Sequence, residues 1–446
     1  MNTPIIDFIK KYAKLNTCRL HVPGHKGKGF LGVEKFDVTE IDGADDLYSP
    51  ISIIKESEKN ASTLYGCPTF YTTEGSSHAI RTMVYLSIIY AKIKGKAPYF
   101  LATRNVHKSF LSAISLTNCK VDFINVKNNN GYLSNNLTPD ILEKYLSNLK
   151  TLPTFLYVTT PDYYGNVLDI KAIKKVLEKY DVLLLVDCAH GSYLKFLNSS
   201  LFPIDLGANM CASSAHKTLP VLTGGAYLHL SNKVHLVLGN YVKEAFNLFG
   251  SSSPSYLTLA SLDKFNEISQ TKFKNSLLKN IKKLEILKAK LTKLGYEILN
   301  GEPLKLTVLT KSFGYTGVEF SKILYDNKII LELYDNDAVV LSFSANSKKA
   351  DYDAVFRVFT NIVKKPNINN LQPIITINQK KFDVNKVIHL ETEYVLVENS
   401  KNRIYAELNV HCPPAVPIII PGEIISNEVI EAFKYYGVKT VKVIKE

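Results

Sequence analysis

No run of eighteen or more uninterrupted apolar residues occurs in the 446-residue chain, so a membrane-spanning helix is not expected. Met1–Lys14 mixes Asp7 with several lysines and lacks the apolar centre and small-residue cleavage pattern of a secretory signal. The expectation is a cytoplasmic protein without a membrane partner. The six cysteines (Cys18, Cys67, Cys119, Cys188, Cys211 and Cys412) form no CxxC pair. That is neither a disulfide framework nor a zinc-site spacing, and reduced, mostly buried thiols with no metal site are expected. There is no internal repeat. No stripe of arginines and aromatics accompanies the formal charge of +13. The lysines are dispersed, as in Lys272–Lys293, where they alternate with apolar residues at helical spacing. A solvated lysine-rich surface accounts for the charge better than a nucleic-acid partner.

What is present is ordinary for a globular protein: 46% hydrophobic and 21% charged residues, in a chain long enough for two or three structural units. Strands are predicted at Tyr99–Thr103, Val121–Val126, Thr154–Thr160, Val182–Asp187, Met210–Ser213 and Gly225–Leu230. Helices are predicted at His78–Ile93, Pro139–Leu149 and Ile170–Lys179. Short apolar strands separated by helices argue for an α/β fold with a largely parallel sheet covered on both faces. Such sheets carry their sites at the carboxyl ends of the strands. Asn266–Leu294 reads as one long amphipathic helix. Beyond it, strands at Leu304–Thr310, Ile329–Leu333 and Val339–Ala345, with a helix at Val318–Asn327, predict a smaller α/β domain. The turn-prone Pro366–Asn370 is a linker candidate. A C-terminal α+β domain follows, with strands around His389–Val397 and a helix at Asn427–Tyr436. The resulting division is 1–270, 271–365 and 366–446.

Four stretches suggest chemistry. Ser213–Leu219 begins at a strand end, and Lys217 there is placed to form a Schiff base with an aldehyde cofactor, with Ser214 and His216 as donors to a phosphate; a solvated loop lysine is the plain alternative. Asp187 ends the apolar run Val182–Val186, where a carboxylate can hold a pyridine nitrogen protonated; capping the next helix is its plain alternative. Thr73–His78 precedes a helix, and Gly75, Ser76 and Ser77 at its positive end suit a phosphate, or simple capping. His107, in Arg104–Ser109, follows a strand and could lie flat on a cofactor ring, although a single histidine is commonly structural.

The order of these pieces, phosphate turn, histidine, aspartate and lysine, resembles that of fold type I (aspartate-aminotransferase-type) pyridoxal-5′-phosphate (PLP) enzymes. More narrowly, the chain resembles the bacterial ornithine/lysine/arginine decarboxylases. The similarity runs through His21–Gly27, Asp37–Glu40, Asp45–Leu47, Arg104–Ser109, Thr160–Gly165, Asp187–Gly191, Ser214–Leu219 with Leu222-Thr223, Ser253–Tyr256 and Leu259–Asp263. It continues in Arg403–Glu407, Pro413–Pro417 and Pro421–Glu423.

The resemblance implies that Lys217 carries PLP, Asp187 pairs with the ring nitrogen, Ala189 packs beneath the ring and His107 stacks above it. Ser76, Ser77, Ser214 and His216 bind the phosphate, with Gly75 through its backbone. His190 belongs to the same cofactor-binding set, and Ser252 or Ser253 of a second subunit completes it, which implies a homodimer or larger homo-oligomer. Four positions depart from the family pattern: Glu74 for asparagine, Asp162 for threonine, Cys188 for glutamate and Ala415 for glycine. Glu74 and Asp162 add negative charge suited to a cationic substrate tail. The expected reaction is decarboxylation of a basic amino acid, arginine before lysine or ornithine, in polyamine metabolism, with a proton returned by Lys217 or His216. The rivals are another PLP reaction and a non-catalytic relative. No arginine stands in Leu341–Ala345, where aminotransferases of this fold clamp the α-carboxylate, and this favours decarboxylation.

Overall fold

The computed structural model describes every residue except Asn16, 127–130, Leu371, Ile374, Thr376, Ile377, 411–413 and Glu446. Cys412 and Pro413 therefore lie outside the described residues. The main sheet has seven strands: β1 (Thr69–Thr72), β2 (Tyr99–Thr103), β3 (Lys120–Ile124), β4 (Phe155–Thr159), β5 (Leu183–Asp187), β6 (Met210–Ser213) and β7 (Ala226–Leu230). Their order is β1-β7-β6-β5-β4-β2-β3. The sheet is mostly parallel: β2 pairs with β3 and β5 with β6 in that sense. β7 runs antiparallel to both β1 and β6. Every residue of β2, β4, β5, β6 and β7 is buried, the signature of strands covered on both faces. β3 lies at the edge and starts with exposed Lys120, a charge that discourages further pairing.

The chain divides into two compact units. The first comprises Met1–Pro98, Pro153–Tyr157 and Ile170–Asn275. Two aspartates of the quoted motifs prove to be anchors of main chain in it. Buried Asp263 accepts the N–H groups of Ile5 and Ile6 at 3.0 and 3.1 Å, capping the helix Pro4–Lys14. Asp45 accepts from Ile51, Ser52 and Ile54 at 2.8–3.0 Å, where the helix Ile53–Tyr65 starts. Cys67, Cys188 and Cys211 are buried free thiols, and Cys18 is exposed.

The second unit comprises Tyr99–Leu152, Val158–Asp169 and Ser276–Glu446, with Cys119 as a buried free thiol. It contains an antiparallel sheet of β8 (Glu297–Leu299), β9 (Lys305–Leu309), β10 (Leu333–Tyr334) and β11 (Ala338–Ser342), in the order β10-β11-β9-β8. Leu306, Val308, Val339 and Leu341 of that sheet pack with Leu284, Leu291, Phe320 and Phe359 in one core. A separate core around Ile419, Val429, Phe433, Val441 and Val443 supports an antiparallel pair, β12 (Thr392–Leu396) and β13 (Thr440–Ile444). Arg104 meets Glu423 in a bidentate pair at 2.7 and 2.8 Å, so two motifs far apart in sequence serve one contact.

Two expectations need correction. The helix predicted over Asn266–Leu294 starts earlier, at Tyr256 capped by Ser255, and is interrupted by a π turn at Ser269–Phe273 before continuing as Lys274–Lys293. The strand predicted at Ile329–Leu333 is reduced to Leu333–Tyr334. Lys328 has a φ of +61°, and the apolar Ile329 and Leu331 pack on the core from irregular backbone instead.

Candidate active site

In the first unit, the apolar β5 delivers Asp187 to its carboxyl end fully buried. One carboxylate oxygen accepts the Ala189 N–H at 3.1 Å and the other the Tyr157 hydroxyl at 3.3 Å. The next helical segment, Ser192–Phe196, has Gly191 at its N-cap, so Asp187 does not cap it. Burial raises the Asp187 pKa, against the Ala189 N–H, the positive Lys217 and the Tyr157 hydroxyl. Among the described residues this desolvated carboxylate is held by two neutral donors and no ion pair.

β6 ends at Ser213, and the short helix Ala215–Thr218 carries His216 and Lys217. Lys217 is exposed, with Nζ 3.2 Å from Nε2 of buried His190. His216 donates from Nδ1 to the Gly225 carbonyl at 3.0 Å. Its other nitrogen can therefore donate only when the ring is protonated. Burial lowers the His216 pKa, the Gly225 carbonyl raises it and Lys217 lowers it; a phosphate dianion would favour the protonated form.

The helix Gly75–Ile93 opens with Gly75, Ser76 and Ser77. Ser214 donates its hydroxyl to Ser76 Oγ at 2.8 Å, joining the β6 turn to that helix start. The Gly75 N–H, expected to reach the phosphate, donates here to the Gly224 carbonyl at 2.7 Å. Gly75 is needed for another reason, its φ of +74°. The two turns are close enough that a Cβ on Gly224 would lie 2.3 Å from the Thr73 carbonyl oxygen. Glu74 occupies the N-cap position without capping, and it accepts the Ser251 N–H at 2.6 Å, fixing the exposed loop that carries Ser252 and Ser253.

Two expected residues lie in the second unit. His107 is the N-cap of the helix Lys108–Ser115. Its Nδ1 accepts the Ser109 N–H at 3.1 Å and lies 2.8 Å from the Ser109 hydroxyl, which fixes the ring and leaves the proton on Nε2. Asp162, fully buried in the loop after β4, uses one oxygen for the Asn166 N–H and the other for the Asn135 N–H, both at 2.9 Å. Burial pushes its carboxyl up to about 6, against those donors and Lys305. Lys305 Nζ in turn donates to the Asp162 carbonyl at 2.9 Å. Of the two carboxylates expected at the substrate, Asp162 has both oxygens engaged by main chain, whereas exposed Glu74 engages one oxygen with the Ser251 N–H. Sequence reasoning also missed Tyr157, which touches Asp187 but sits in an apolar strand with no polar pattern to mark it, and His78. The latter bridges Thr72 Oγ1 at 2.7 Å and the Phe246 carbonyl at 2.8 Å as a buried clamp.

The chain matches the family model "Orn/Lys/Arg decarboxylase, major domain" over residues 3–298 and the model of that family's C-terminal domain over 370–441. It belongs to the Orn/Lys/Arg decarboxylase family. Among its relatives, an uncharacterized Bacillus subtilis protein is 31% identical, covering 97% of this chain and 93% of that protein. A Bacillus subtilis arginine decarboxylase is 29% identical over 96% of this chain and 92% of its own length. Among solved structures, the Francisella novicida lysine decarboxylase superposes with a TM-score of 0.78 at 17% identity, covering 99% of this chain and 81% of that one. The Pseudomonas aeruginosa lysine decarboxylase A gives 0.80 at 16% identity, covering 99% and 80%. Membership makes the chain a PLP-dependent amino-acid decarboxylase, with the fold type I architecture seen above. The residues fit such a cofactor: buried Asp187 accepts from two neutral donors and has no ion pair among the described residues, and the hydroxyls of Ser76 and Ser214 converge at a helix N-terminus.

Proposed function

We propose that the chain decarboxylates a basic amino acid, arginine first and lysine or ornithine as alternatives, releasing carbon dioxide and an amine for polyamine metabolism in the cytoplasm. The observation that carries the site assignment is buried Asp187 at the end of β5 in the same unit as Lys217 at the end of β6. Arginine is placed first because relatives matched over nearly their whole length include arginine decarboxylases of Bacillus and Halalkalibacterium.

In this reading Lys217 Nζ holds the cofactor aldehyde, and Ser76, Ser77, Ser214 and protonated His216 hold its phosphate. Ala189 and His190 would complete the cofactor set in the first unit, and His107, fixed by Ser109 in the second, is the residue that would meet the ring's face. When bound, PLP supplies an acceptor for the electron pair left by the departing carboxylate. Asp187 keeps the ring nitrogen protonated, and its burial away from water makes that pairing strong. His190 accepts from the Lys217 ammonium, holding Nζ in place until a proton is returned to the substrate Cα. Lys217 delivers that proton, with His216 as the second donor. Glu74 and Asp162 act as positioning residues, the first for the Ser251–Ser253 loop and the second for the turn after β4.

The working unit is a homodimer. Ser252, Ser253 and Lys217 are all exposed on the single chain, and Leu20, Val22, Phe30, Leu31 and Ile51 of the first unit are strongly exposed as well, apolar side chains that a second subunit would cover. The deciding experiment is incubation of the PLP-loaded protein with arginine, lysine and ornithine separately, identifying the product by mass spectrometry. Agmatine as the main product supports the reading. Cadaverine or putrescine moves it to lysine or ornithine, and no amine from any of the three overturns it.

A further inference from the structure

The second unit encloses a cavity of about 780 Å³ that none of the residues assigned above to cofactor or substrate lines. Its walls combine apolar surface from Ile124, Leu309 and Ile418 with polar groups that are unevenly satisfied. The cations are committed. Arg104 is held bidentately by Glu423. Lys311 spends its three N–H donors on Asp337 Oδ1 at 2.7 Å, the Asn370 carbonyl at 3.0 Å and the Tyr435 hydroxyl. Neither offers an anion a free charge.

The acceptors are left over. Asp337 Oδ2, Asn105 Oδ1 and Gln372 Oε1 are buried without a hydrogen-bond partner among the described residues. Asp337 and Asn105 are each only 4% exposed. Exposed Glu297 adds a further carboxylate to the wall. Buried acceptors ordinarily find donors, and a ligand supplying several N–H groups on an aliphatic stem would match both the acceptors and the apolar surface between them.

We propose that this cavity is a second site for an aliphatic polycation whose N–H donors are amine or guanidinium groups, the chemical class to which the product of the proposed reaction belongs. The choice of amine rests on that reading; the acceptor-rich cavity does not. Asn105 stands two residues before His107, so an amine drawn to Asn105 acts on the segment that leads into His107, and the site can report product to catalysis.

The test is equilibrium dialysis of labelled spermidine against the PLP-loaded protein, with 1,8-octanediol as an uncharged competitor of similar length. One saturable site per chain is expected, weakened at least 10-fold in Asp337→Asn and in Gln372→Leu, retained in Lys217→Ala, and not displaced by the diol. Gln372 is half-buried, so its variant tests the site should Asp337→Asn fold poorly. Absence of saturable binding, its loss in Lys217→Ala with retention in both cavity variants, or equal displacement by the diol overturns the proposal. Spermidine binding of the expected pattern in a protein that makes no amine from arginine, lysine or ornithine refutes the catalytic reading and leaves the cavity site standing.

Discussion

Replacing Asp187 by asparagine should act in opposite directions on catalysis and on the cofactor-free protein. The carboxylate is fully buried between the Tyr157 hydroxyl and the Ala189 N–H, and asparagine keeps the shape while removing the charge that pairs with a protonated ring nitrogen. Loss of one partner from a buried charged contact costs about 2–5 kcal/mol. At about 1.4 kcal/mol per factor of ten in rate, kcat should fall roughly 30-fold to 5,000-fold at matched PLP occupancy. Stability of the cofactor-free form should move the other way. Burial raises the carboxyl pKa above its unfolded value, so the stabilising contribution of this group is present below the unfolded pKa and is lost as pH rises through the folded one. At neutral pH the wild type carries that cost and Asp187→Asn does not. The assay is turnover normalised to bound cofactor, with urea unfolding of the cofactor-free proteins at pH 7. Near-normal turnover at full occupancy, or a cofactor-free variant clearly less stable than wild type, would refute the pairing and leave Asp187 a local main-chain anchor.

Borohydride reduction of the holo-protein should fix PLP to one peptide, the one containing Lys217; label on another lysine removes it from the site. Asp162, with its folded pKa near 6 against about 3.9 when unfolded, should contribute up to about 3 kcal/mol of stability below about pH 4 that is lost as pH rises through about 6, and urea midpoints of Asp162→Asn across that window should show a flatter slope. Glu74→Asn releases the Ser251 N–H, so kcat/KM should fall by similar factors for arginine, lysine and a neutral analogue; a loss confined to the cationic substrates would return Glu74 to the substrate tail. Light scattering of the holo-protein should give at least twice the 50.0 kDa chain mass, and a fully active monomer would remove Ser252 and Ser253 of a second subunit from the cofactor site.

The parts of this protein that its sequence determined by itself are those set by local pattern. Continuous apolar runs ending in one polar residue located β5 and β6 and put Asp187 and the Ser214–Lys217 turn at their ends, because a strand buried on both faces has only its end in which to present a charge. The limits of β2, β6 and the helix Ile170–Lys179 were legible for the same reason. What the tertiary structure decided are the partners, since a hydrogen bond between residues far apart leaves no periodic trace. Gly75 was expected at the phosphate, and only the fold shows that its N–H meets the carbonyl of Gly224, 149 residues on. Asp162 was expected at the substrate, and only the fold shows that its two oxygens accept from Asn135 and Asn166. Tyr157 was hidden in an apolar strand, and the wall of acceptors around Asp337 and Asn105 is assembled from segments more than two hundred residues apart. A carboxylate announces a charge in the sequence; whether it meets a ligand or a backbone amide depends on which segments the packed core brings against it.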